Sequence, residues 1–473
     1  VEPPEAGQAG AEQAGAGQAG AGQAAAESLE PGPSEAEPAV PGGEPAVPGG
    51  ERRGWVGRAR RLAIDPAPLR QPDFRRLFIG QGVSFVGYQL TAVAVPVQVY
   101  SVSRSSFWVG MLGLIGLAPL VVFGLWGGAV ADVVDRRKLL LTSSYTVWAA
   151  TLALLLQALL GLDNLALIFG LVVVQSAGFA ISSPTRNTII PRLLPRPLVP
   201  AANTLNFTMT NVGTVAGPLL AGVVVARPHG FAIAYSIDAV LFTVALYAAM
   251  RLPALPPVAG PGRITRPGLA SVLDGLKFIT TRPVLLLSFA VDLVAMVFAM
   301  PRALFPEVAA TRFGGISAVG WLFASIAIGA VVGGLSSGWI GRVHRQGVAL
   351  TAAVAAWGLA VAAAGLARSL WLAVVLLAVA GAADLVSAVF RQTILQVYAP
   401  DEMRGRLQGV FVVVVAGGPR LGDLRAGATA AVTGATVSWV AGGIACTVVV
   451  LLVTALAPAL RTYTTRPPHP TTD

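Results

Sequence analysis

The chain has 473 residues, of which 55% are hydrophobic and only 12% charged, with a mean hydropathy of +0.70. A soluble domain carries about a quarter charged residues, so a soluble globular protein is excluded, and recurring apolar runs of about twenty residues have the length of a bilayer-crossing helix. The net charge of +10 raises nucleic acid as a partner, but the placement of the charges removes it, and one cysteine, Cys446, excludes a disulfide or zinc framework.

Residues 1–51 repeat GAEQA/GAGQA and then EPAVPGG, with nine Glu and no Lys or Arg. Such a segment has too little apolar surface to build a core and is expected to be a disordered acidic low-complexity tail. It has no basic start and no apolar h-region, so it does not read as a signal peptide. A chain opening on Val1 fits an alternative start codon in a gene model, which N-terminal sequencing of the expressed protein decides. Residues 52–76 form a basic cytoplasmic segment with eight Arg. Twelve spans are expected at 77–100, 107–131, 139–161, 165–189, 201–226, 231–251, 284–306, 316–340, 348–367, 370–397, 406–430 and 434–458. They fall into an N-terminal six-helix bundle (77–251) and a C-terminal one (284–458). A central cytoplasmic loop (252–283) joins them and a tail (459–473) follows. The fold class expected is an all-α polytopic membrane protein.

Charge placement orients the chain. With the N-terminus inside, inner segments hold 24 Lys or Arg and outer loops hold four, Arg104, Arg227, Arg312 and Arg368. That is a positive-inside pattern with both termini cytoplasmic. The basic charge thus reports topology and contact with anionic lipid rather than nucleic acid.

The chain also repeats itself. A gapless shift of 205 places Arg186-x-Thr188-Ile189 on Arg391-x-Thr393-Ile394, Gly213 on Gly418, Gly217 on Gly422 and Ala221-Gly222 on Ala426-Gly427. A shift of 210 places Val109-Gly110 on Val319-Gly320 and Gly128 on Gly338. Two related six-helix halves put a substrate site at their interface near the bilayer midplane.

Between the second and third spans lies GGAVADVVDRRK, with Gly128, Asp132, Asp135, Arg136, Arg137 and Lys138. Charges in a tight turn between two spans stay out of hydrocarbon, and the glycines admit close helix approach. By itself the turn fits a positive-inside loop. Gly128, Asp132, Arg136 and Arg137 match the G-x-x-x-D-[RK]-x-G-[RK]-[RK] loop of the major facilitator superfamily, while Val133 and Asp135 depart from it. The chain resembles that superfamily, which implies two pseudo-symmetric six-helix bundles. In the fifth span Gly213, Gly217, Pro218 and Gly222 resemble the superfamily's antiporter motif, with Ala221 for one glycine; the bland alternative is small-residue helix packing. TAVAVPVQVY (91–100), YSIDAVLF (235–242), RLPALPP (251–257) and TILQVYAPDEMRGRLQG (393–409) resemble the superfamily's siderophore-exporter branch. The resemblance implies a proton-coupled exporter of a siderophore or similar anionic amphiphile, monomeric, in the bacterial inner membrane. The alternatives are a multidrug efflux pump and, in another class, a membrane scaffold or sensor that does not transport.

Coupling needs a group that titrates inside the membrane, since a carboxylate in low dielectric exchanges protons near working pH. The candidates are Asp292, ranked first, then Asp384 and Asp238, each set against a structural hydrogen-bonding role. The first span offers no acid, only polar residues such as Gln81 and Gln89. Cavity and substrate candidates are Gln89, Arg186, Arg391, Arg420, Asp423 and Arg425. Asp423 lies three residues from Arg420, a spacing that allows helical pairing, and Arg186 is placed to meet Asp132 or Asp135. These basic groups suit an anionic cargo, or alternatively form a structural ion network. An enzyme is not expected. His229, His344 and His469 all lie outside the spans, and no P-loop, metal cluster or cofactor motif occurs.

Overall fold

In a bilayer every backbone N–H and C=O of a spanning segment needs a partner within the protein, and a continuous helix supplies it. The computed structural model follows that rule. It describes residues 65–255, 269–400 and 403–464, with their side chains except those of 125–133, 187, 269–272, 404–406, 408–409 and 412. The acidic tail, the basic segment up to residue 64, positions 256–268 of the central loop and the chain from 465 onward lie outside the described residues. Among the described residues there is no strand.

The first half holds α1 (Pro72–Ser103), α2 (Ser106–Val133), α3 (Arg136–Leu159), α4 (Leu165–Leu193), α5 (Val199–Val225) and α6 (Gly230–Met250). A short helix, α7 (Leu269–Thr280), lies in the central connection. The second half holds α8 (Pro283–Phe298), α9 (Phe305–Thr311), α10 (Ala318–Leu335), α11 (Gln346–Leu366), α12 (Leu370–Tyr398), α13 (Arg404–Thr433) and α14 (Ala435–Leu456). Among the described residues eleven segments are long and apolar enough to cross a bilayer, with α8 and α9 counted as one. The remaining expected span, the eleventh (α13), carries Arg420, Asp423 and Arg425 in its length. Large apolar side chains stay exposed along α3 (Leu156, Leu159), α6 (Val240, Val244), α11 (Leu359, Leu366) and α14 (Leu451, Leu452). A surface of that kind suits acyl chains rather than water.

Two expected spans change on inspection. The seventh is not continuous: α8 ends at Phe298, and a 3-10 turn at Arg302–Leu304 leads into α9. Pro301 has no N–H with which to continue the ladder. The eighth helix stops at Leu335 and passes into a 3-10 turn, Ser337–Arg342, where the second copy of the charged turn lies.

Packing repeats between the halves. In the first, α1 packs on α5 and α6, α4 on α2 and α3, and α3 on α6. In the second, α8 packs on α13 and α14, α12 on α10 and α11, and α11 on α14. The two largest contacts between the halves are α2 with α13 and α5 with α10, and exchanging the halves turns each into the other. The chain thus has an internal pseudo-twofold axis.

Glycines control these two seams. A methyl on Gly222 (α5) would lie 2.7 Å from the Ser317 oxygen and 2.9 Å from Gly320 Cα of α10. Gly110 (α2) abuts the Asp423 and Leu424 backbone, and Gly427 (α13) abuts that of Ser106 and Phe107. Gly110, Gly222, Gly320 and Gly427 are the glycines that the internal repeat pairs. Glu307 of α9 accepts a hydrogen bond from Ser106 of α2 at the same end. Along α2 the seam then loosens. A methyl on Gly417 would lie 3.6 Å from Leu117, an ordinary contact, and one on Gly124 would meet nothing within 4 Å. The halves are therefore pressed together at the end carrying the 104–105 and 312–317 turns, and part toward the other.

Candidate functional site

The charged turn does local work. The Asp135 carboxylate caps α3 by accepting the Arg137 N–H at 2.8 Å. The Arg137 guanidinium donates to the Met250 carbonyl at 2.6 Å, placing a cation at the C-terminus of α6. The Arg136 N–H donates to the Leu255 oxygen at 3.1 Å, and the Leu255 N–H points back at Asp135 Oδ1 at 3.4 Å. The turn thereby holds the start of the RLPALPP segment, with Leu252 and Leu255 buried against Leu77, Leu140 and Ile189. Asp135 is thus engaged as a cap and does not pair with Arg186, whose guanidinium bonds Ser182 Oγ at 2.8 Å and the Ser182 carbonyl at 3.3 Å. Gly128 lies within α2, and the side chain of Asp132 lies outside the described residues.

The small-residue motif of α5 has two faces. Gly213 and Gly217 receive Phe85 and Gln89 of α1, while the Pro218 carbonyl and Gly222 meet Gly320 of α10. Gln89 therefore packs in the α1–α5 crossing.

In the second half, Arg391 of α12 forms an ion pair with Asp292 of α8. Arg391 is 6% exposed and Asp292 2%. Asp384, further along α12, lies 3.9 Å from the same guanidinium. A buried pair of this kind costs desolvation and holds only while both charges persist.

Asp238 of α6 has different company. It accepts from Thr91 Oγ1 at 2.7 Å and faces Thr151 Oγ1 at 3.5 Å, and Gln175 donates to Thr151 at 3.2 Å. Further along the same bundle the Tyr235 hydroxyl donates to Gln98 Oε1 at 2.7 Å, and Gln98 and Gln157 exchange amide hydrogen bonds. Sequence reasoning misses this polar ladder through α1, α3, α4 and α6. Its signal is the set of isolated Gln and Thr residues in otherwise apolar runs.

The α13 charges also differ from expectation. Asp423 does not pair with Arg420; its Oδ1 accepts the Ala303 N–H at 3.2 Å, at the start of the turn that follows the break in the seventh span. Arg425 takes the carbonyls of Val297 and Phe298, at 3.1 and 2.5 Å, where α8 has run out of its own donors. The two side chains therefore suture the broken helix, a carboxylate on the N–H side and a cation on the C=O side, each matching the helix dipole. Arg425→Ala strips the donors from those carbonyls, and the purified protein is expected to lose about 1–3 kcal/mol of stability in a thermal or denaturant series; an unchanged midpoint would remove the suture. Arg420 crosses the interface and donates to the Gly116 carbonyl of α2 at 2.6 Å. Nearby, Tyr88 of α1 stacks on Phe179 of α4 with ring centres 4.7 Å apart.

This geometry agrees with known proteins. Residues 64–466 match the family profile MFS_3, described as transmembrane secretion effector. The enterobactin exporter EntS of Citrobacter koseri is 28% identical over 400 residues, covering 84% of this chain and 95% of that protein. EntS proteins of Escherichia coli are 28% identical over 401 residues, 85% of this chain and 95% of theirs. Among solved structures the nucleoside transporter NupG superposes with a TM-score of 0.66 at 14% identity, over 83% of this chain and all of NupG. A bacterial homologue of the human lysosomal transporter Spinster, inward-facing and unoccupied, gives 0.63 at 17% identity, over 83% and 96% of the chains. At those identities the structures speak for the fold alone. The chain is a multi-pass membrane transporter and not an enzyme, and it belongs to the transmembrane secretion effector family of the major facilitator superfamily.

Proposed function

We propose that the protein is a proton-coupled exporter of a siderophore or a similar anionic amphiphile, working by alternating access as a monomer in the bacterial inner membrane with both termini cytoplasmic. The likeness to enterobactin exporters supports the cargo class. The observation that carries the coupling is the buried Asp292–Arg391 pair with Asp384 beside it. A proton on Asp292 removes the charge that holds Arg391, so protonation and helix position are linked. With the charge bias setting the orientation, the glycine-sealed end faces outward and the chain is in an inward-open form. Opening the sealed end and closing the other completes the cycle.

On closure of the cytoplasmic end, the charged turn clasps the two halves, with Asp132 as its acid. In proteoliposomes under an imposed pH gradient, the wild-type protein is expected to accumulate a catecholate cargo against its concentration. Asp132→Asn is expected to lower that rate by about tenfold or more while the protein still inserts. Full-rate transport by this variant would remove the clasp. Transport of varied cationic drugs with no preference for the catecholate would replace the siderophore reading with multidrug efflux.

A further inference from the structure

Helix α5 shows four sides. One packs on α1, where Met209, Gly213 and Gly217 meet Gly82, Phe85 and Gln89. A second meets α10 at Pro218 and Gly222. A third is exposed and apolar: Val212 and Val223 are 59% and 57% exposed, and their spacing of eleven residues keeps them on one side. The fourth is polar. Asn203, Phe207, Thr210 and Thr214 recur at i, i+4, i+7 and i+11, with Asn211 beside them. Asn203 lies nine residues from Val212, about two and a half turns, so the polar and apolar sides point in opposite directions. Hydrocarbon accepts the valines and rejects free amides. The polar side therefore faces water, in the gap between the halves on the open side of the Gly222 seal. It is an open face rather than an enclosed cleft, with Phe207 68% exposed and Asn203 and Thr210 exposed as well.

The chemistry of this stripe is one-sided. Thr210 donates its hydroxyl to the Asn206 carbonyl at 2.9 Å, Thr214 to the Thr210 carbonyl at 2.9 Å, and the Asn211 amide donates to the Phe207 carbonyl at 3.0 Å. Those donors are committed within the helix, while each side-chain oxygen keeps lone pairs free to accept. The stripe is thus a row of uncharged acceptors around an exposed aromatic ring. The second half does not repeat it. At the offset of 205, Thr210, Asn211 and Thr214 fall on Val415, Ala416 and Pro419 of α13, and Val415 is exposed. We infer that the path between the halves has one polar and one apolar wall, and that the α5 stripe is a specificity surface reading O–H and N–H donors on an aromatic face of the cargo, whose apolar part lies against α13. This rests on the reading of the chain as an exporter of an amphiphile, and it fixes which side of the cargo meets which half. Recognition here runs through neutral hydrogen bonds and ring stacking, separately from the Asp292–Arg391 pair.

The test uses the full chain in nanodiscs and two probes, the octyl amides of dihydroxybenzoic and dimethoxybenzoic acid, which share ring and chain and differ in their O–H donors. By calorimetry below neutral pH the wild type is expected to prefer the dihydroxy probe about tenfold or more. Thr210→Val with Asn211→Ala copies the α13 wall onto α5, and the preference is expected to vanish or invert. Thr210→Ser with Asn211→Gln keeps the oxygens and is expected to keep the preference, which separates recognition from a folding defect. Val415→Thr with Ala416→Asn copies the polar wall onto α13 and is expected to weaken both probes about tenfold, through the octyl chain they share; unchanged affinity there overturns the orientation. A wild type that binds the two probes alike, or binds neither, overturns the specificity surface. So does a Thr210→Val, Asn211→Ala protein that keeps the preference and only transports more slowly, for the stripe would then serve closure against α10. The exporter reading fails separately. Donor preference without transport under any imposed gradient in proteoliposomes removes that reading and leaves the polar wall standing, and gradient-driven transport without donor preference does the reverse.

Discussion

Asp292→Ala is expected to abolish gradient-driven transport and to lower stability by about 3–5 kcal/mol, the cost of leaving one partner of a buried ion pair uncompensated. The site explains the size of the effect. Asp292 and Arg391 are both buried in the second bundle, and Asp384, at 3.9 Å, is the remaining acid by the guanidinium. Loss of stability alone does not separate coupling from packing, so a double variant is needed. Asp292→Leu with Arg391→Leu removes both charges and fills the space with apolar atoms, an exchange that is often neutral or stabilising. That protein is expected to fold as well as the wild type and yet to ignore a pH gradient. Asp292→Asn imitates the protonated acid, so its residual downhill transport is expected to be flat with pH, whereas the wild-type rate changes as the acid titrates. A double variant that still concentrates cargo against its gradient would assign the coupling elsewhere.

The second large effect is expected at the sealed end. Gly222→Val puts branched carbon where a lone methyl would already lie 2.7 Å from Ser317 O and 2.9 Å from Gly320 Cα. The opposing atoms are backbone on both sides, so no side chain can swing clear, and α5 and α10 must separate. The variant is expected to be trapped open at that end. A cysteine placed at Ala318, only 2% exposed at the start of α10, should then react with a membrane-impermeant maleimide about tenfold faster than in the wild-type background, with transport reduced in proportion. The native Cys446 is buried and does not compete for the label. Gly170→Val, on the exposed face of α4 away from both seams, is the control, because a methyl there meets nothing within 4 Å; it is expected to transport and label normally. Equal behaviour of the two valine variants would show that the seam plays no part in gating.

Much of the architecture is legible in the residues alone because lipid leaves few choices. Apolar length marks the helices, and arginine placement orders them. The repeated glycines are contact points, which neither register alone reveals: Gly110 and Gly320 align with one another, yet Gly110 meets α13 at Asp423 and Leu424 while Gly320 meets α5 at Pro218 and Gly222. What escapes the sequence is pairing over long separations. Pro301 hints at a break in the seventh span, but its repair by Asp423 and Arg425 joins residues 120 and 127 positions apart. The same holds for Gln98 with Gln157 and Tyr235, which alternate in the chain with ordinary core residues. Asp423 looks like a partner for Arg420 because local spacing allows it. The backbone N–H of Ala303 is the stronger claim, since a helix that restarts inside a membrane has no water to satisfy it.

The crossed glycine contacts have the symmetry of another kind of assembly. An interface in which one patch meets a second, and the copy of the second meets the copy of the first, is isologous, the hallmark of a C2 homodimer. Here it lies inside a single polypeptide. Two identical subunits would carry every substitution twice, whereas each half of one chain varies alone, so an acid stands opposite Arg391 while its counterpart Arg186 turns to Ser182.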